Sequence, residues 1–168
     1  MNYLNLDHIF FEENKSLRSD AIRQLYVCAY QCSHSFRLQF DSWRLERVMG
    51  SELFSQLMPN FPLDKTTEKT WKYDIYEDIL IGEKTEILRR ILEFNPTGFS
   101  ERPLNYIKSV RLLDKEGGTV LRGGDHNTFI LFKLPKLEND MLLEKYRQQH
   151  IPEEVIEHVD VDVEELDP

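Results

Sequence analysis

Three short stretches of this chain gather side chains that could do chemistry. Cys28-x-x-x-Cys32-x-His34 offers two thiols and an imidazole, the ligand types that zinc prefers. Arg122-Gly123-Gly124-Asp125-His126-Asn127 offers glycines that could let backbone N–H groups hold an anion, an Asp125 that could orient His126, and a His126 that could act as general base. Residues 151–168, IPEEVIEHVDVDVEELDP, carry eight carboxylates and no Lys or Arg, a negative patch able to steer a cationic partner.

The first two stretches have simpler readings. No second ligand pair stands at a zinc-like distance from Cys28 and Cys32. On a helix the two thiols continue the apolar face of Ala21, Ile22, Leu25 and Ala29, where a free cysteine packs as a small hydrophobe. The expectation is core packing, with no metal and no cofactor. Gly-Gly-Asp and Asn are what a tight β connection uses for positive φ and local hydrogen bonds. No Lys-Ser/Thr follows, so the phosphate-loop pattern is missing. A turn is therefore expected, and a ligand or catalytic loop of Arg122, Asp125, His126 and Asn127 is the alternative. No G-x-S-x-G, H-E-x-x-H or H-x-E…C-x-x-C pattern occurs. The five histidines, at 8, 34, 126, 150 and 158, are scattered. Lys and Arg are dispersed as well, with Arg89-Arg90 as their longest cluster, and direct nucleic-acid binding, which calls for a concentrated positive footprint, is not expected.

The third stretch is the most informative. The formal charge is −9, yet residues 1–150 hold 22 acids against 21 bases, so nearly all the charge lies in one-ninth of the chain. A disordered acidic tail is poor in β-branched residues, whereas this segment contains Ile151, Val155, Ile156, Val159, Val161 and Val163. Val159-Asp160-Val161-Asp162-Val163 alternates strictly, which in a strand puts three valines on one face and two aspartates on the other. Carboxylates ~7 Å apart repel by about 0.6 kcal/mol in water, while each buried valine contributes roughly 1.5–3 kcal/mol. Burial wins, and an ordered acidic edge strand is predicted. Its candidate partner-binding residues are Glu153, Glu154, Glu157, Asp160, Asp162, Glu164 and Glu165.

The surrounding elements read as one α+β domain over 1–168: residues 1–100 mainly helical, a β-meander over 104–134, a helix over 136–149 and the acidic segment 151–168. A helix is expected over Ser19 to Cys32 with Ser19 or Asp20 as N-cap, and a short strand over His34 to Phe40, where Phe36, Leu38 and Phe40 alternate with polar residues. A helix opened by Asp41-Ser42 would bury Leu45, Val48, Met49, Leu53 and Leu57, with Gly50 as its weak point. Residues 67–81 fit both periods and lean to helix, and 84–94 reads as a helix through Ile87, Leu88, Ile91 and Leu92. Tyr106–Leu113, Thr119–Arg122 and Thr128–Leu134 would form the meander, turned at 114–118 and at Gly123-Gly124. Leu137, Met141, Leu142 and Tyr146 supply the stripe of the last helix.

Seven glycines and seven prolines against 19 aromatics exclude collagen-like, mucin-like and fully disordered classes. No apolar run approaches the ~18–20 residues of a membrane span. MNYLNLDHIFFEENK lacks the basic start and apolar stretch of a signal peptide, and two cysteines make no disulfide framework, so the cytoplasm is the expected compartment. The function expected is a non-enzymatic binding protein whose acidic segment meets a basic protein partner. Its sharpest version is an immunity- or antitoxin-like inhibitor of a nuclease-type toxin. A small enzyme built on the Arg122–Asn127 loop and a strand-addition oligomerisation module are the alternatives.

Overall fold

The computed structural model describes residues 1–8, 15–40, 50–52, 55, 63–69, 74–86, 89, 107–124 and 129–161. Eight described strands form one antiparallel sheet: β1 (Asn2–Leu4), β2 (Ser35–Phe40), β3 (Leu63–Lys69), β4 (Asp74–Glu83), β5 (Ile107–Leu113), β6 (Thr119–Gly124), β7 (Phe129–Phe132) and β8 (Ile156–His158). Their order across the sheet is β3-β4-β2-β5-β6-β7-β1-β8. Helices α1 (Lys15–Cys32) and α2 (Lys136–Gln148) pack on each other and on the sheet. The result is a single α+β domain with an open, meander-like sheet. No described helix is long and apolar enough to cross a membrane.

Strand alternation builds the core. Phe36, Leu112, Leu121 and Phe132 are opposite one another across β2, β5, β6 and β7, and all four are buried. One row along, Leu38 pairs with Val110, and Ile130 and Leu4 belong to the same buried cluster. Against this face α1 sets Ala21, Ile22, Leu25, Tyr26, Cys28 and Ala29, and α2 sets Leu142 and Tyr146. The Tyr146 hydroxyl donates to the Ala21 carbonyl at 2.8 Å. At the end of α1, Ser33 Oγ and Lys84 Nζ donate to the Tyr30 carbonyl, meeting acceptors that the last helical turn leaves open.

Several expectations need correction. Four strands, β1 to β4, come from the first 100 residues beside α1. The described residues of 67–81 lie in strands: β3 and β4 pair from Leu63↔Leu80 to Lys69↔Asp74, and β4 also pairs along the whole of β2. Apolar residues spaced by four satisfy a period of two equally well, so only the neighbouring strand decides between helix and sheet. No helix runs through Gly50, whose φ is +84°; Ser51, Glu52 and Ser55 are helical, and the rest of the 41–58 expectation lies outside the described residues. So does most of 84–94, of which Glu86 and Arg89 are helical. Helix α1 is already running at Lys15, so Ser19 is a buried helical residue instead of a cap. Gly123 and Gly124 continue β6, paired with Ile130 and Phe129, and do not turn the chain. On α2, Leu137 and Met141 are exposed; the burying face centres on Leu142 and Tyr146, one helical turn apart.

Candidate partner-binding site

The acidic segment is launched by the end of α2. His150 adopts φ 57°, the Ile151 N–H donates to Tyr146 O at 2.9 Å and the His150 N–H donates to Arg147 O at 3.1 Å. These are the crossed bonds of a left-handed helix terminus, and they drop Ile151 into the core, 3% exposed. Pro152 follows, a short 3-10 turn over Glu153–Val155 buries Val155 completely, and the chain enters β8.

The edge strand exists, but three residues earlier than the alternation predicts. β8 pairs with β1 at Asn2↔His158, Tyr3↔Glu157 and Leu4↔Ile156, and its last bonds are Val159 N–H to Met1 O at 2.9 Å and the Met1 ammonium to Val159 O at 3.0 Å. The described pairing stops there. Val161 is 39% exposed and so is not docked as a buried valine, and Val163 lies outside the described residues. The register of the partner overrides the pattern of the segment.

This geometry sorts the seven candidate acids. Glu153 receives Arg147 Nε at 2.6 Å, and hydrogen bonding and attraction from Glu153, then Glu144, hold the guanidinium's proton more tightly than usual. Glu157 accepts from Asn5 Nδ2 at 2.7 Å, tying β8 to the loop after β1. Glu154 and Asp160 are exposed and belong to no ion pair among the described residues. Asp162, Glu164 and Glu165 lie outside the described residues. Beside the segment runs a groove of about 860 Å³ lined in part by Asp114, Lys133, Leu134, His158, Asp160 and Val161. Asp114 is pinned there, its Oδ1 accepting from the N–H groups of Gly118 at 2.7 Å and Glu116 at 3.0 Å. A carboxylate from the body and one from the acidic segment thus line the same opening.

The other two stretches behave differently. Arg122 sits inside β6, while Asp125, His126 and Asn127 lie outside the described residues. Cys28 is buried, and Cys32 Sγ lies 3.4 Å from Ala29 O and 3.6 Å from Cys28 O. His34 is exposed, with Nε2 4.0 Å from Glu83. Among the described residues no three His, Cys, Asp or Glu side chains converge as a metal site would require. Burial pushes the Cys28 thiol up and the Cys32 thiol from 9.0 to about 11, the nearby Glu138 adding to the second shift. Cys32 should therefore react with iodoacetamide at pH 8 on the order of a hundredfold more slowly than a free cysteine, because only the thiolate attacks. Mass spectrometry over time checks this, and equal rates would contradict it. The linkage has a definite sign: neutral thiols contribute stability below pH 9, and that contribution is lost as pH rises through about 11.

One cluster has no counterpart in the sequence reading. On the sheet face turned away from α1 and α2, Arg37 is opposite Arg111, and Arg111 is opposite Arg122, so the three arginines occupy neighbouring register positions on adjacent strands. The available signal was local: Phe36-Arg37-Leu38, Val110-Arg111-Leu112 and Leu121-Arg122-Gly123 each set an arginine between two buried positions. Only the register brings them together.

The chain matches no protein-family model, no curated protein and no solved structure.

Proposed function

We propose that this is a non-enzymatic binding protein of the cytoplasm whose acidic C-terminal segment receives a basic protein partner. The observation that carries this reading is the anchoring of the segment. Ile151 and Val155 are buried, β8 is paired, and Val159 is bonded to Met1 in both directions. Glu154 and Asp160 are thereby presented on the surface of the body, and Asp160 shares a groove with Asp114. Preorganised carboxylates lose less entropy on binding than those of a free tail. The contact set is narrower than the composition suggests, because Glu153 and Glu157 are already engaged by Arg147 and Asn5. Glu154 and Asp160 lead it, with Asp162, Glu164 and Glu165 next along the chain.

The sharpest form of the reading is an immunity- or antitoxin-like inhibitor, in which carboxylates occupy the site where a nuclease toxin takes phosphates. The test begins with affinity capture from the source cell, followed by binding kinetics of the captured partner at 50 and 300 mM salt. The double variant Glu154→Gln/Asp160→Asn should lower the association rate by about tenfold at the lower salt, with a smaller change in dissociation. A partner bound equally well by this variant, with no salt dependence, would refute the reading.

A further inference from the structure

We propose that the free edge of β8 takes up an extended segment of the partner as a further strand, bonded through the main chain and carrying lysine or arginine toward the flanking carboxylates. This rests on the reading of the acidic segment as a partner-binding surface and adds how the partner is held.

The main-chain geometry comes first. Among the described strands β8 ends the sheet, with β1 on one side only. Met1 and Val159 exchange both hydrogen bonds. In the register Asn2↔His158 and Leu4↔Ile156, positions 156 and 158 therefore turn their main-chain groups away from β1. The Ile156 N–H is used inside the segment, where it donates to Glu153 O. The Asp160 N–H opposes the Val159 carbonyl across a trans peptide and so points away from β1 as well. The Ile156 carbonyl, both groups of His158 and the Asp160 N–H meet no partner among the described residues. His158 and Asp160 are exposed, and the His158 ring leans toward Asn2 on β1, its Nδ1 3.4 Å from Oδ1. Such an edge is a template for another strand.

The charges decide the chemistry of the occupant. Sheet edges are commonly blunted by Lys or Pro; residues 153–161 contain neither, and hold four acids with no Arg. Glu153 is engaged by Arg147 and Glu157 by Asn5, which leaves Glu154 and Asp160 toward solvent. The Met1 ammonium is taken by Val159 O. Lys133 shares the groove with Asp160 and Asp114, one cation against two carboxylates. A second copy of this chain would bring its own acids beside these, and like charges across a strand pair are unfavourable. A strand with lysine or arginine at alternate positions turns that repulsion into attraction. Four outward groups make a short ladder, so charge has to supply much of the binding.

The probe is a labelled eight-residue peptide of alternating lysine and valine, titrated onto the full chain by fluorescence anisotropy at 20 and 200 mM salt. Binding is expected at the lower salt and weaker binding at the higher, with slowed amide exchange at His158. N-methylation of two adjacent central residues removes a donor from each edge of the peptide and keeps its charge; it should weaken binding at least tenfold. His158→Pro deletes one outward N–H while the ladder bonds at Glu157 and Val159 remain, and should weaken binding about fivefold. Glu154→Gln/Asp160→Asn should weaken it several-fold and flatten the salt dependence. Thermal melts establish that each variant is folded, and the methylated peptide keeps the test valid if His158→Pro is not. A methylated peptide bound as tightly as its parent would overturn strand addition and leave the acidic surface standing, which the captured partner tests separately. Absence of binding at 20 mM salt would overturn the inference. So would equal binding of a glutamate–valine peptide, or a dimer that protects His158 without any peptide, which would assign the edge to any strand or to a second copy.

Discussion

Tyr146→Ala is expected to remove about 3–5 kcal/mol of stability, a large share of the ~5–15 kcal/mol that holds a domain of this kind together. Tyr146 is fully buried where α2 meets α1, and its hydroxyl crosses between the helices to the Ala21 carbonyl. Truncation leaves a ring-sized cavity in a cluster that includes Leu25, Cys28 and Leu142, and helical backbones close such a gap poorly. Tyr146→Phe keeps the ring and gives up one hydrogen bond, for a loss of about 1 kcal/mol. Urea melts of the two variants separate packing from polarity, and equal losses would mean that the ring contributes little. Burial also raises the phenol pKa of Tyr146 and of Tyr26. The neutral phenols contribute stability below their ordinary value of 10.0, and that contribution is lost as alkali drives ionisation. Melting temperature should therefore fall above pH 10 and fall less in Tyr146→Phe.

Val155→Asp is the second large effect. Val155 is fully buried and its carbonyl accepts from the Asn5 N–H at 2.7 Å, so it nails the acidic segment to the loop after β1. A carboxylate there would be buried in the apolar cluster that holds Val155, at a cost of about 3–5 kcal/mol or more. The adjacent Glu154→Gln alters only an exposed side chain and should change the melting temperature by no more than a degree or two. The contrast separates anchor from contact. Val155→Asp should release β8, seen as faster amide exchange at Asn2–Leu4 and Ile156–His158, whereas Glu154→Gln should leave exchange unchanged and weaken only partner association. Protection at β1 that survives Val155→Asp would show that the segment is held by something other than its buried side chains.

Much of the core could be read from spacing alone. Ala21, Ile22, Leu25, Cys28 and Ala29 form the buried face that the helical period implies, and Phe36 and Leu38 alternate as a strand should. Spacing gave out where two periods coincide, as in 67–81, and where the partner sets the limits. Val159-Asp160-Val161 has the pattern of a strand, yet β8 ends at His158 and Val161 is exposed. Leu137 and Met141 are apolar at plausible positions, but α1 meets α2 at Leu142 and Tyr146. The candidate acids could be counted in advance. That Arg147 and Asn5 engage two of them is a fact of tertiary approach, as is the gathering of Arg37, Arg111 and Arg122 by register.

The placement of Asn2–Leu4 between β7 and β8 bears on the order of biosynthesis. That strand leaves the ribosome long before Phe129–Phe132, its first neighbour, has been translated. At ~5–20 residues per second it waits on the order of ten seconds with neither edge satisfied. Closure of the sheet is thus a late, long-range event, and the nascent polypeptide is exposed to mispairing until its final quarter emerges.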